Sequence, residues 1–117
     1  MRPDDRDAGC LLDMLEHARG IARAAQGLSP ERYAANEDVR LAVERRVEII
    51  GEAARQVSAS FRQAHPEIPW RKIIAQRNIL AHEYGDIQDD IMWRLATVSI
   101  PELVALLEPL VPPPPVA

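Results

Sequence analysis

Val39-Arg40-Leu41-Ala42-Val43-Glu44-Arg45-Arg46-Val47-Glu48-Ile49-Ile50-Gly51-Glu52-Ala53-Ala54-Arg55-Gln56-Val57-Ser58-Ala59-Ser60-Phe61 is the stretch whose reading decides the fold. Val39, Val43, Val47, Ile50, Ala54, Val57 and Phe61 recur at steps of three and four, which draws one apolar stripe along an α-helix, and Leu41, Ile49 and Ala53 widen it. The pattern predicts a long central helix that ends before His65-Pro66-Glu67-Ile68-Pro69, where two prolines exclude helix for the chain between them. Small side chains at Gly51, Ala53 and Ala54 would let a second helix approach closely. A bundle of this size often buries surplus apolar surface against another copy, so a two-fold homodimer is expected.

Outward from this helix the same periodicity repeats. Toward the N-terminus, Leu11, Met14, Leu15, Ala18, Ile21, Ala22 and Ala25 predict a helix over Asp5 to Gln26, closed by Gly27. Ser29-Pro30-Glu31 reads as an N-cap followed by proline at the first helical position, opening a short connecting helix that ends near Asn36. Toward the C-terminus, Pro69-Trp70 opens a helix carrying Ile73, Ile74, Ile79 and Leu80 that should stop at Gly85. A last helix runs from near Asp89 through Ile91, Trp93, Leu95 and Val98, is interrupted or kinked at Pro101, and resumes through Leu103, Leu106, Leu107 and Leu110. No segment alternates apolar with polar residues, and the chain has 17 alanines and one threonine, so no strand is expected. The fold class is all-α: an up-and-down bundle of four to five helices. Residues 1–110 are read as one domain and 111–117 as a proline-rich tail, extended and disordered.

The 117 residues leave no room for a second core of useful size. An apolar share of 47% with 27% charged residues excludes a disordered chain, and no apolar run approaches a bilayer span. The acidic start and the lone Cys10 point to the cytoplasm, with Cys10 a packing residue. A net charge of -4 speaks against wholesale coating of nucleic acid. The middle of the chain is nonetheless basic, and the arginines from Arg45 to Arg62 read either as a path for RNA or as a solvated helix face.

Only Arg77-Asn78-Ile79-Leu80-Ala81-His82-Glu83-Tyr84 looks chemically loaded. At about 100° per residue Asn78 and His82 share a helical stripe, and Arg77 and Tyr84 share the neighbouring one. Cutting RNA without a metal needs a base for the 2′-hydroxyl proton, an acid for the departing 5′ oxygen and a cation for the phosphoryl oxygens. Histidine exchanges protons near neutrality, and the planar fork of arginine engages two oxygens at once. One His82 is too few for acid and base, whereas two copies meeting across a dimer axis supply both. Taken alone, His82 also suits a helix end, Arg77 a surface cation and Tyr84 a packed aromatic. His17, His65 and His82 share no metal-ligand spacing; His17 is expected at the surface and His65 in a structural loop. Trp70 and Trp93 are expected as core anchors rather than platforms for bases.

The spacing of Arg77, His82 and Tyr84 resembles the signature of HEPN-domain ribonucleases of the HepT toxin type. The match extends through Ile49-Ile50-Gly51-Glu52-Ala53-Ala54, His65-Pro66-Glu67-Ile68-Pro69-Trp70 and Ile91-Met92-Trp93, and so covers most of Val39 to Leu110. The resemblance implies an all-helical homodimer, the toxin of a type VII toxin-antitoxin pair. It implies a metal-independent endoribonuclease without a cofactor, with Arg77 and His82 as catalytic residues in a cleft between protomers and Asn78 orienting the imidazole. The implied partners are RNA and a minimal nucleotidyltransferase antitoxin, which would adenylylate Tyr84 and so neutralise the toxin. A non-catalytic helical module that binds such a transferase is the alternative, and a plain structural bundle is the third reading.

Overall fold

The computed structural model describes residues 2–82 and 88–113, and of residues 79–82 it describes the backbone alone. Helix α1 spans Asp5–Ala25, α2 Pro30–Ala35, α3 Glu37–Gln56, α4 Ala59–Ala64, α5 Trp70–His82, α6 Asp89–Arg94 and α7 Ile100–Leu107. Among the described residues there is no strand. The helix starts obey local chemistry: Asp4, Ser29, Asn36 and Ser58 each accept a hydrogen bond from an otherwise orphaned amide of the first turn. Gly27, at φ 77°, takes the left-handed turn that releases the chain from α1.

Helix α1 packs along α3 and α7, and α3 packs along α5 on its other flank. The stripe read from the sequence is the side that meets these neighbours, and Val43, Val47, Ile50, Ala54, Val57 and Phe61 are all buried. Tyr33 of α2, assigned no role by the sequence pattern, is 0% exposed and packs against Trp93 with ring centroids 5.5 Å apart. The short connecting helix therefore contributes a central aromatic anchor.

Two expectations are corrected. The central helix does not continue through Phe61: it ends at Gln56, and α4 starts afresh at Ala59. Buried Asp7 of α1 accepts hydrogen bonds from the Ser58 amide at 2.8 Å and from its hydroxyl at 2.6 Å, which stabilises the break with charge-assisted bonds. Pro101 does not interrupt the last helix, because a π turn over Leu95–Ser99 joins α6 to α7. There the Ile100 amide bonds the Leu95 carbonyl, five residues back, and the wider turn accommodates a proline that has no amide to give. The small residues of α3 do let a second helix approach closely, and within the chain that helix is α5. Ala53 and Ala54 are buried, and Gly51 is approached by Arg77 of α5.

Between α5 and the π turn with α7, the bundle leaves an apolar cleft of about 240 Å³ over Val47 and Ile50. No helix among the described residues is long and apolar enough to cross a membrane. The expected stop at Gly85 and the end of the proline tail, 114–117, lie outside the described residues.

Candidate functional site

The site is built on α5, and α5 is aimed by the turn that precedes it. In that turn the Trp70 indole donates to the His65 carbonyl at 3.0 Å, and Phe61 lies edge-on to Trp70 at 6.5 Å between centroids. The His65 ring packs on Phe61 at 4.4 Å, and its Nδ1 lies 2.9 Å from Glu67. His65 is thus part of the structural turn, as its sequence context indicates. From this anchor α5 runs along α3 and crosses it at Gly51.

At the crossing, a Cβ added to Gly51 would overlap the Arg77 Cβ and stand 3.1 Å from the Ile73 carbonyl oxygen. Only glycine lets the aliphatic stem of Arg77 lie this close to α3. The head then extends beyond the crossing. Its Nη1 donates to Asn78 Oδ1 at 3.1 Å, and its Nη2 lies 3.2 Å from Glu52 Oε2. The latter is an ion pair by distance without the alignment of a hydrogen bond, and the Arg77 side chain stays 26% exposed.

Glu52 is itself fixed by its own helix. Its Oε1 accepts from Arg55 at 2.9 Å and from Gln56 at 3.2 Å. These hydrogen bonds, with the positive charges of Arg55 and Arg77, hold its carboxyl below the usual range for glutamate. The surrounding pocket, about 220 Å³, is lined by Asp13, Glu48 and Glu52 with Arg45 and Arg77. Cys10 also reaches it from α1, where burial, ahead of Asp13 and Asp7, pushes its thiol up. A raised thiol is poor in thiolate, in keeping with packing.

Of the residues singled out from the sequence, Arg77 and Asn78 are brought together. His82 stands in the last turn of α5 with its side chain outside the described residues, and Tyr84 lies outside them altogether. Arg45 and Arg55 pair with Glu48 and Glu52 on their own helix, while Arg46 turns toward α1. His17, expected at the surface, is half-buried there, with Nδ1 2.9 Å from Arg46 Nη1. Glu52 was visible in the sequence only as part of a matching block. The signal that singles it out is its place directly after the glycine of a helix crossing. Among the described residues no group of three or more His, Cys, Asp or Glu side chains is arranged to hold a metal ion.

Comparison with known proteins bears on this geometry. A family model described as ribonuclease HepT-like matches residues 14–110. The chain belongs to the HepT-like ribonuclease family. A relative from Methanocaldococcus jannaschii, named "Putative RNase MJ1380", is 33% identical over 93 residues, 80% of this chain and 85% of its own. "Probable ribonuclease HepT" from Thermococcus cleftensis is 32% identical over 100 residues, 86% of this chain and 91% of its own. No solved structure matches. The match of the HepT-like family takes in α3, the anchoring turn and α5, the elements that hold Arg77 over Gly51.

Proposed function

We propose that this HepT-like chain is a metal-independent endoribonuclease, the toxin of a toxin-antitoxin pair, acting as a homodimer. The observation that carries the reading is Arg77: an arginine held at a helix crossing, beside an open pocket, on the same helix as His82. The relatives named as ribonucleases support the choice of RNA. Leu41, Ile91 and Val98, each about half-exposed, support burial against a second copy.

In the proposed reaction one imidazole of a His82 pair takes the proton of the ribose 2′-hydroxyl, and the 2′ oxygen attacks phosphorus. The bond from phosphorus to the 5′ oxygen breaks, leaving a cyclic phosphate, and the protonated imidazole of the other copy supplies a proton to the departing oxygen. Arg77 stabilises the charge that gathers on the two remaining phosphoryl oxygens. Asn78 contributes by holding Arg77 through its side-chain oxygen, a role in addition to orienting the imidazole. A nucleotidyltransferase partner attaching AMP to Tyr84 would place a competing phosphodiester beside Arg77 and silence the enzyme.

The test is cleavage of bulk transfer RNA by purified dimer in the presence of a chelator. Wild type should cleave, and His82→Ala should lose about 10²–10⁴-fold with fold and dimer intact. Equal rates in the two proteins would remove the reading. Intact-mass measurement after co-expression with a nucleotidyltransferase encoded beside it should show added AMP on wild type and none on Tyr84→Phe. The second reading, a helical module that binds the transferase without cutting RNA, is favoured by one observation: three carboxylates face two guanidiniums in the pocket of Arg77. It predicts AMP addition without cleavage.

A further inference from the structure

We infer that Glu52 is a positioning residue for the nuclease, one that fixes the Arg77 guanidinium in its working orientation without touching RNA. The inference rests on the reading of Arg77 as the phosphate-binding cation. Gly51 and Glu52 divide the task between neighbouring positions of α3. Gly51 seats the stem of Arg77, and Glu52 faces its head, with Nη2 3.2 Å from Oε2. Asn78 takes the other terminal nitrogen, Nη1, at 3.1 Å. The guanidinium is therefore held from both sides.

Two features separate a positioning carboxylate from one that merely competes with phosphate. First, Glu52 is not free to follow Arg77, because Arg55 and Gln56, three and four residues further along the same helix face, hold its Oε1. It presents Oε2 as a fixed negative charge. Second, Glu52 and Asn78 each engage one terminal nitrogen, and each terminal nitrogen carries two hydrogens. Asn78 takes one N–H of Nη1 and the ion pair with Glu52 is not an aligned hydrogen bond, so N–H groups on both nitrogens are left for phosphoryl oxygens while the carboxylate stays in place. An arginine fixed before substrate arrives loses less rotamer freedom in the transition state, and that difference appears in turnover more than in binding.

The experiment compares wild type, Glu52→Ala, Glu52→Gln and Arg77→Lys as full chains on bulk transfer RNA. The Glu52→Ala protein should lose roughly tenfold or more in kcat with a smaller change in KM, and Glu52→Gln, which keeps an oxygen acceptor, should recover part of the loss. In the Arg77→Lys background, Glu52→Ala should cost much less than in wild type, because there is no guanidinium to orient. A readout independent of activity is the ¹⁵N spectrum of the arginine side chains. The Arg77 guanidinium signal, assigned by its absence in Arg77→Lys, should show restricted rotation in wild type and averaging in Glu52→Ala. Faster cleavage or tighter RNA binding by Glu52→Ala would overturn the inference, since it would make Glu52 a brake. An unchanged kcat beside a normal Arg77→Lys defect would overturn it while leaving the nuclease reading intact. Full activity of Arg77→Lys and of His82→Ala together would instead remove the nuclease reading itself.

Discussion

Two helix crossings in this molecule use the same pair of residues for different ends. Where α3 meets α1, the glycine is Gly20 and the arginine is Arg46; where α3 meets α5, they are Gly51 and Arg77. At Gly20 the guanidinium itself lies over the glycine, so the charged head fills the crossing, with one nitrogen on His17 at 2.9 Å. At Gly51 the stem fills the crossing, and the head continues past it to Glu52, Asn78 and the pocket. The length of stem spent in packing decides whether an arginine head is used up in the crossing or reaches a pocket beyond it.

The largest expected contrast is in RNA cleavage. Arg77→Ala should lose about 10²–10³-fold, the loss typical of removing a donor aimed at developing oxyanion charge, while Arg46→Ala should cut at the wild-type rate. Equal losses from the two would dissolve the distinction between a packed and a presented arginine.

Stability gives the next contrast. At Gly51 an added methyl meets the first carbons of Arg77 and a backbone oxygen, none of which can swing away, so Gly51→Ala should cost about 1–3 kcal/mol in denaturant unfolding. At Gly20 it meets the flexible end of Arg46. The guanidinium can leave, and the helix propensity gained, up to ~1 kcal/mol, offsets the lost contact with His17, so Gly20→Ala should be nearly neutral. A large loss from Gly20→Ala would mean that Arg46 is as firmly held as Arg77.

Acid provides a smaller discriminator. The folded-state carboxyl of Glu52 titrates below its unfolded value because Arg55, then Gln56, hydrogen-bond the charged form. Its contribution to stability is therefore present above the unfolded pKa and is lost as pH falls through the lowered folded one. Glu52→Gln should flatten that part of the acid unfolding profile, whereas Arg46→Ala should leave it unchanged. The smallest effect belongs to a residue away from both crossings. Burial, then the charges of Glu44 and Asp89, pushes the Tyr33 hydroxyl up to about 12. Stability linked to Tyr33 is thus intact below its ordinary pKa near 10 and declines as pH rises toward 12, and phenolate absorbance of Tyr84→Phe protein should report a delayed transition that coincides with unfolding.

The apolar stripe of α3 was legible because burial repeats with the helical period, and the anchoring turn because proline removes amides wherever it stands. The break at Ser58 was not legible. Its cause is a carboxylate on α1, 51 residues earlier, and nothing around Ser58 announces that partner. Pro101 misled in the opposite sense, since a proline forbids the ordinary helical bond but leaves the wider π turn open. Tyr33 escaped because a six-residue helix is too short for periodicity to show its buried face. At the site, the types and spacing of Arg77, Asn78 and His82 could be read directly, whereas the ion pair with Glu52 joins different helices and has no local signature.

Sequence alone determined the helical class, the order of the main helices and the chemical kinds of side chain on α5, because propensity, capping and spacing act over a few residues. Which arginine lies flat and which reaches out was decided by tertiary structure. That outcome depends on where a glycine of one helix falls beneath the stem or the head of a side chain on another, a distance set by the crossing and by neither helix separately.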